Sequence, residues 1–397
     1  MRAAPKRPQM LDGGDASVHK HLRFSQLWKR TRNERRTAKD GSVGRRHGPG
    51  SETGGLRFRG DALERLPVRP KLVAYGRSGS PILEPAYGYC SLRQRSWTLA
   101  QSSIQLGSVG IWTTQFENLP ATQMQEATAE LEELGFGAIW FGEAVGREAL
   151  TQAGLLLAAT KKIVVATGIA NIYARDPFAI AAGQKALAEA YAGRFVLGLG
   201  VSHVPLVEKL RGHRYEKPLS TMRAYLDAMD QAPYQAVPPS TKPIRVLAAL
   251  GPKMLELAAE RADGAHPYNV NPEHTAEARG ILGPGPYLCP EQAVVLETDP
   301  TKARKISRDF LAVYLGLPNY TNNFLRLGFD ESDFKNGGSD RLIDNIIAWG
   351  DLNTVRNRIR AHQTAGADHI CIQVLTAKPK LLPLAEWREL APALLRA

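Results

Sequence analysis

The feature that most constrains the fold is a repeated alternation of short apolar or β-branched segments with longer helical segments between residues 106 and 375. This rhythm is typical of βα units, in which parallel strands of one sheet are joined by helices. The apolar segments predict eight strands, at residues 106–112, 137–141, 163–169, 195–200, 244–248, 264–267, 293–297 and 369–375.

The segments between these strands predict eight helices, at residues 123–134, 148–159, 178–190, 221–230, 253–261, 272–281, 301–315 and 354–365. Eight strands and eight helices match the (β/α)8 TIM barrel in number and size. A doubly wound sheet is the alternative, which the lack of a G-x-G-x-x-G turn after the first strand disfavours. The connections 202–220 and 318–350 are long; we expect the second, with a helical stretch at 341–349, to be ordered and to cover a pocket.

The basic charge of the chain is confined to its first quarter. The net charge is +12, but residues 1–105 carry 21 Lys and Arg against 8 Asp and Glu, whereas the remainder carries 30 against 31. Residues 1–103 are therefore predicted to form a basic, low-complexity, disordered extension, and residues 104–397 the barrel domain. The extension is interpreted as an arm for acidic partners, a solvated spacer or misattached upstream sequence, with the last two favoured.

Composition excludes several classes of protein. Cys90, Cys289 and Cys371 are far apart, which argues against a disulfide framework or a structural zinc site. The apolar runs are too short for a membrane span, and no signal peptide is visible, so the default is a soluble cytoplasmic protein. No nucleic-acid-binding signature accompanies the basic residues. The sequence predicts no metal site and leaves a homodimer open.

In a barrel of this type the active site lies at the carboxyl ends of the strands, so residues that directly follow a strand are candidates. Segment 198–203 reads GLGVSH, where Gly198 and Gly200 allow close approach of a ring or a phosphate, or simply relieve crowding inside the barrel. Segment 167–177 reads TGIANIYARDP. Its last two residues are explained as a helix cap, but Asn171 and Tyr173 are not.

Segment 167–177 and the longer run RFVLGLGVSH at 194–203, together with AALGPKM at 248–254 and AGADH at 365–369, resemble the luciferase-like monooxygenase superfamily, and in particular its coenzyme F420-dependent oxidoreductase branch. The resemblance spans residues 106–375. It implies a barrel whose mouth holds the deazaflavin, and a non-prolyl cis peptide at Gly168–Ile169 behind the ring.

The resemblance also implies roles for individual residues. Gly168, Ile169 and Asn171 are assigned to the ring of the cofactor. Gly198, Gly200, Ser202, Gly251 and Pro252 are assigned to its phosphate-bearing tail, with the last two at the start of a helix. Aromatic residues near the mouth are predicted to line the substrate pocket, namely Trp112, Tyr173 and Tyr268.

The expected reaction is hydride transfer between C5 of the deazaflavin and a small organic substrate. Glu143 and His203 are the candidate catalytic residues for proton handling, with His266 a further candidate. Ala144 stands where sugar-phosphate-oxidising relatives carry a histidine, which argues against an alcohol or sugar phosphate. The alternatives are a monooxygenase using FMN and oxygen, and a non-catalytic cofactor carrier or barrel recruited by its basic arm.

Overall fold

The computed structural model describes residues 104–395, and the predicted disordered extension lies outside this range. The described residues form one curled sheet in which every pairing is parallel. Its strands are β1 Val109–Trp112, β2 Ala138–Phe141, β3 Val164–Thr167, β4 Ala170–Asn171, β5 Phe195–Gly200, β6 Ile244–Leu247, β7 Gly264–Ala265, β8 Tyr287–Leu288, β9 Glu291–Val295, β10 Ala348–Trp349 and β11 Ile370–Val374.

Helices alternate with these strands, as the sequence pattern predicts. They are α1 Ala121–Leu134, α2 Ala149–Ala158, α3 Pro177–Ala190, α4 Pro218–Asp230, α5 Pro252–Arg261, α6 Pro272–Leu282, α7 Pro300–Leu311, α8 Pro318–Arg326, α9 Asp340–Ile346, α10 Leu352–Thr364 and α11 Leu384–Leu395. Proline is favoured at the first helical position because its missing N–H would have no intrahelical acceptor there. At the start of α3, for example, Asp176 accepts the N–H groups of Phe178 and Ala179 (2.9 and 3.0 Å).

The strands follow one another in the order β10-β9-β11-β1-β2-β3-β5-β6-β7-β8, with β4 pairing β5. β8, at one end of this path, is close in the chain to β9, the second strand from the other end, because only Cys289 and Pro290 separate them. Proline cannot donate to a neighbouring strand, which explains the interruption. On one side of it Cys289 N donates to Ala265 O (2.9 Å), and on the other Cys371 N donates to Pro290 O (2.9 Å).

Apolar side chains fill both faces of the sheet. The larger cluster lies between sheet and helices, and a smaller one, including Trp112, Trp140 and Cys371, fills the concave interior. A third cluster joins the insertion around α8 and α9 to the ends of β9 and β11, through Tyr320 and Leu375 among others. The 318–350 connection is thus an ordered cover over this part of the sheet.

Several predicted boundaries are corrected. The predicted strand 293–297 begins two residues earlier, at Glu291, directly after Pro290. The predicted helix 341–349 ends at Ile346, and Ala348–Trp349 pairs with β9 instead. Helices α8 and α11 were not predicted, and α7 ends at Leu311 rather than at residue 315. No helix within residues 104–395 is long and apolar enough to cross a membrane.

Candidate active site

The carboxyl end of β3 forms a bulge at the centre of the candidate site. The Gly168–Ile169 peptide bond is cis, as the family resemblance predicts. Trp112 Nε1 donates to Gly168 O (3.1 Å), and Glu143 N donates to Ile169 O (3.0 Å), so one carbonyl of the bulge is held from β1 and the other from the loop after β2. A Cβ on Gly168 would lie 2.6 Å from Trp112 Nε1 and 2.9 Å from His266 Nε2, and only glycine fits there.

Gly198 and Gly200 on β5 make room for this bulge. A Cβ on Gly198 would lie 1.9 Å from Thr167 O, and one on Gly200 would lie 2.6 Å from Ile169 Cγ1. The space beside both glycines is therefore filled by the chain itself. This favours the crowding interpretation, while their assignment to the cofactor tail stays a prediction. The Ile169 side chain, assigned to the ring, packs against Gly200.

Glu143 follows β2 and is held by the chain on both carboxylate oxygens. It accepts the backbone N–H groups of Ala149 (3.2 Å) and Asn171 (2.9 Å) and forms an ion pair with Arg175. Arg175 also pairs with Glu148, at 2.8 Å between Nη2 and Oε1. Glu143 thus fixes the loop after β3, and its proton-handling role stays a prediction.

His203 and Ser202 follow β5, where Ser202 adopts a left-handed backbone conformation (φ 58°). The His203 ring packs against Tyr320 of the covering insertion, with centroids 5.6 Å apart. Burial lowers the pKa of His203, opposed by a hydrogen bond to Asn319, so the neutral imidazole is favoured. His203 therefore lies beneath the cover, and its catalytic role stays a prediction.

The three predicted pocket aromatics fall into two groups. Trp112 packs on Tyr268 (5.1 Å between centroids), and the Tyr268 hydroxyl contacts Tyr314 Oη (3.0 Å) and donates to Gln373 Oε1 (2.6 Å). Tyr173 instead packs against His213 and Tyr215, on the connection after β5. The structure thus brings Trp112 and Tyr268 together and places Tyr173 in a separate aromatic group.

The N-terminus of α5 is open. Gly251 occupies the cap position with no side-chain cap, and a Cβ there would meet nothing within 4 Å. Lys253 in the first turn is exposed, and Arg326 Nη2 donates to Leu250 O (2.9 Å) just before the cap. Free backbone N–H groups at the positive end of a ten-residue helix, with two cations nearby, can hold a phosphate.

Sequence reasoning missed Glu291, the first residue of β9. Its side chain is fully buried, and Oε2 accepts Asn269 N (2.9 Å). Burial raises the pKa of Glu291 to about 8, partly opposed by this hydrogen bond. A signal was available in the sequence, since a glutamate stands before the apolar run AVVL at 293–296. The predicted strand began two residues too late to include it.

Several buried polar atoms around the strand ends have no hydrogen-bond partner within residues 104–395. They are Asn171 Nδ2, Arg175 Nη1, His203 Nδ1, Asn269 Oδ1 and Nδ2, and Glu291 Oε1. Buried polar atoms without partners are destabilising, so those near the strand ends are available to a ligand or water that would complete them. A polar ring system, with a phosphate at α5, fits this donor and acceptor set.

Comparison with known proteins agrees with this geometry. The family model for luciferase-like monooxygenases matches residues 90–369. The chain therefore belongs to the luciferase-like monooxygenase family and is an oxidoreductase of that class.

Two relatives and one solved structure illustrate the relationship. The chain is 27% identical to a Mycobacterium tuberculosis protein named "Putative coenzyme F420-dependent oxidoreductase", over 70% of this chain and 96% of that one. It is 30% identical to a 5,10-methylenetetrahydromethanopterin reductase of Archaeoglobus fulgidus, over 60% and 85%. An F420-dependent secondary alcohol dehydrogenase, at 15% identity, shares the fold with a TM-score of 0.59, over 72% of this chain and 98% of that one.

Proposed function

We propose that this chain is a coenzyme F420-dependent oxidoreductase that transfers a hydride between the deazaflavin and a small organic substrate. The observation that carries the proposal is the similarity to the mycobacterial relative, which extends over 96% of that protein and bears the cofactor in its name. The residues at the strand ends support it, because they offer an uncapped helix terminus and buried polar groups without partners.

We also infer that the curled sheet is a closed (β/α)8 barrel, as the sequence predicts. The inference treats β8 and β9 as one strand interrupted at Cys289 and Pro290, pairing β7 on one side and β11 on the other. β10 is then a short addition beside the end of β9. A closed barrel directs the ends of all eight strands to one mouth.

When bound, the cofactor supplies the hydride chemistry. The chain's own contribution is to bind and orient it. The N–H groups after Gly251 and Pro252, with Lys253 and Arg326, would hold the phosphate. Ser202 is proposed to assist there.

Toward the ring, we propose that the Gly168–Ile169 bulge and Asn171 support it, while Trp112 and Tyr268 border the substrate. Both aromatic residues are close to the bulge or to the covering insertion, which would exclude water from the reacting atoms.

Cofactor binding by the full-length chain tests the proposal. We expect the fluorescence of F420 to change on titration with the protein, with weaker or absent binding of FMN. Tight binding of FMN without a response to F420 would instead favour the monooxygenase alternative. Binding of neither cofactor would contradict both.

A pair of variants at Gly251 locates the phosphate. Gly251→Asp and Gly251→Asn place side chains of the same size in open space and cap α5 equally well, but only the first adds a negative charge. We expect the Asp variant to bind the cofactor at least ten-fold more weakly than the Asn variant. Equal affinities would place the phosphate elsewhere.

A further inference from the structure

Glu291, the first residue of β9, is an acid enclosed in the interior of the sheet, beside the residues that follow β7, because its N–H donates to Pro267 O (2.8 Å). It stands opposite Cys371 in the β9–β11 register, and Cys371 belongs to the interior cluster. Parallel strands in register place paired side chains on the same face, so Glu291 points inward with Cys371. Its side chain has no exposed surface in the structure.

The surroundings leave Glu291 half satisfied. Oε2 accepts Asn269 N, whereas Oε1 has no partner within residues 104–395. Asn269 itself has a left-handed backbone (φ 55°), and both polar atoms of its side chain are also buried without a partner. Asn269 and Glu291 thus contact each other and carry three unpartnered polar atoms between them. Together these atoms can accept hydrogen bonds from a ligand and donate hydrogen bonds to it.

No positive charge compensates Glu291 in the described part of the chain, where it takes part in no ion pair. The titratable groups that face it are Tyr268 from the end of β7, Tyr314 and Tyr320 from the covering insertion, and Cys371 from β11. Burial raises the pKa of each of these four groups above its usual value. They therefore keep their protons at neutral pH, and Glu291 carries the most acidic of these protons.

Resting on the proposed function, we propose that Glu291 is the acid of this site, the group that donates a proton when a hydride adds to the substrate. The substrate class is then one with a polarised double bond, such as a ketone, an imine or an activated alkene. When bound, the reduced deazaflavin would supply the hydride with its electron pair to one end of that bond and would thereby be the reductant. The Glu291 O–H bond breaks, a bond from the proton to the other end forms, and the carboxylate regains a proton from solvent.

The other two candidate groups fit this role less well. Glu143 is occupied by Arg175 and two backbone N–H groups. Burial lowers the pKa of His203, so its imidazole is neutral and a weak proton donor at pH 7. A buried, protonated carboxyl is suited to general acid catalysis near neutral pH because its proton is present and transferable.

The experiment compares full-length wild type, Glu291→Gln, Glu291→Asp and the control Glu297→Gln, which changes a partly exposed glutamate just beyond the same strand. Infrared spectroscopy of the cofactor-free protein follows the carbonyl stretch of a protonated carboxylic acid. We expect such a band at pH 7 that disappears near pH 8, is absent in Glu291→Gln and is retained in the control. Its absence from wild type at pH 7 would overturn the proposal without any turnover.

Stopped-flow oxidation of reduced F420 by 2-cyclohexenone supplies the second measurement. We expect Glu291→Gln to bind F420 as wild type does but to react at least 100-fold more slowly, as on loss of a general acid. The alkaline decline of the rate should also vanish, and Glu291→Asp should restore part of the rate. If F420 binds and reacts at the same rate in Glu291→Gln, the role of Glu291 is wrong while the proposed function stands. If wild type does not bind F420, the proposed function fails.

Discussion

The interior of the sheet has two layers that differ in how many of their polar groups have hydrogen-bond partners. In the base layer, defined as Trp140, His266, Cys289, His369 and Cys371, Trp140 Nε1 donates to His369 Nε2 (3.1 Å), and His266 Nδ1 bonds Cys289 O (2.7 Å). In the mouth layer, defined as Asn171, His203, Tyr268, Asn269 and Glu291, four of the five residues carry a buried polar atom without a partner. The exception in the base layer is His266 Nε2, which faces Gly168.

The difference separates stability from function. A buried polar group that is hydrogen-bonded costs little, whereas one without a partner costs about 1–3 kcal/mol. Apart from His266 Nε2, the polar side-chain atoms named in the base layer are hydrogen-bonded, as in an ordinary protein core. The mouth layer retains an unfavourable free energy that a ligand can relieve on binding, as is common where a fold carries a site.

Acidification should test the base layer with the largest effect. Burial lowers the pKa of His266 and His369 to about 4 each. Between pH 6.5 and 4 the unfolded chain binds protons that the folded chain does not, so the free energy of unfolding decreases as the pH falls through that window. Two such groups give at most roughly 3 kcal/mol per pH unit. Urea denaturation at pH 7, 6 and 5 measures this; a flat profile would show that both imidazoles are protonated in the folded state.

Truncation of the base layer should have the next largest effect. Trp140 is fully buried, stacks on His266 (4.6 Å between centroids) and holds His369. Trp140→Ala should lower the free energy of unfolding by about 3–5 kcal/mol. A smaller change in the mouth layer, Tyr268→Phe, removes only a hydroxyl and should cost about 1 kcal/mol. Urea denaturation of both variants at pH 7.5 compares them, and equal losses would erase the distinction between the layers.

The sequence predicts the secondary structure well because each βα unit is local. Helix stops and starts such as Gly135, which ends α1 in a left-handed conformation, and the Asp176 cap of α3 are encoded within a few residues. The interruption at Pro290 defeats this reasoning, since it hides the true start of β9. Helix α8 lies in a connection whose apolar residues find their partners only in the third cluster.

The site was predictable in position but not in contacts. Strand ends identify Glu143 from sequence, but its role depends on Arg175, which lies 32 residues further along the chain. Gly198 likewise reads as a ligand contact until Thr167, from another strand, is found against it. Contacts between distant segments decide whether a polar residue is structural or available, and periodicity carries no information about them.

A rise in pH should test the mouth layer. We expect a smaller change in the free energy of unfolding than acidification causes, with stability lost toward high pH instead of low pH. Burial raises the pKa of Glu291 from 4.5 to about 8, so between those values the folded chain holds a proton that the unfolded chain has lost. The free energy of unfolding should therefore decrease as the pH rises through the window, by about 1 kcal/mol from pH 7 to 8, and should level off above it. Glu291→Gln should remove this slope and Glu297→Gln should keep it, as measured by urea denaturation. If Glu291→Gln kept the slope, another group would cause it. If the slope is lost, the two layers lower the free energy of unfolding for the same reason. A buried group becomes ionised, in the mouth layer as the pH rises and in the base layer as the pH falls.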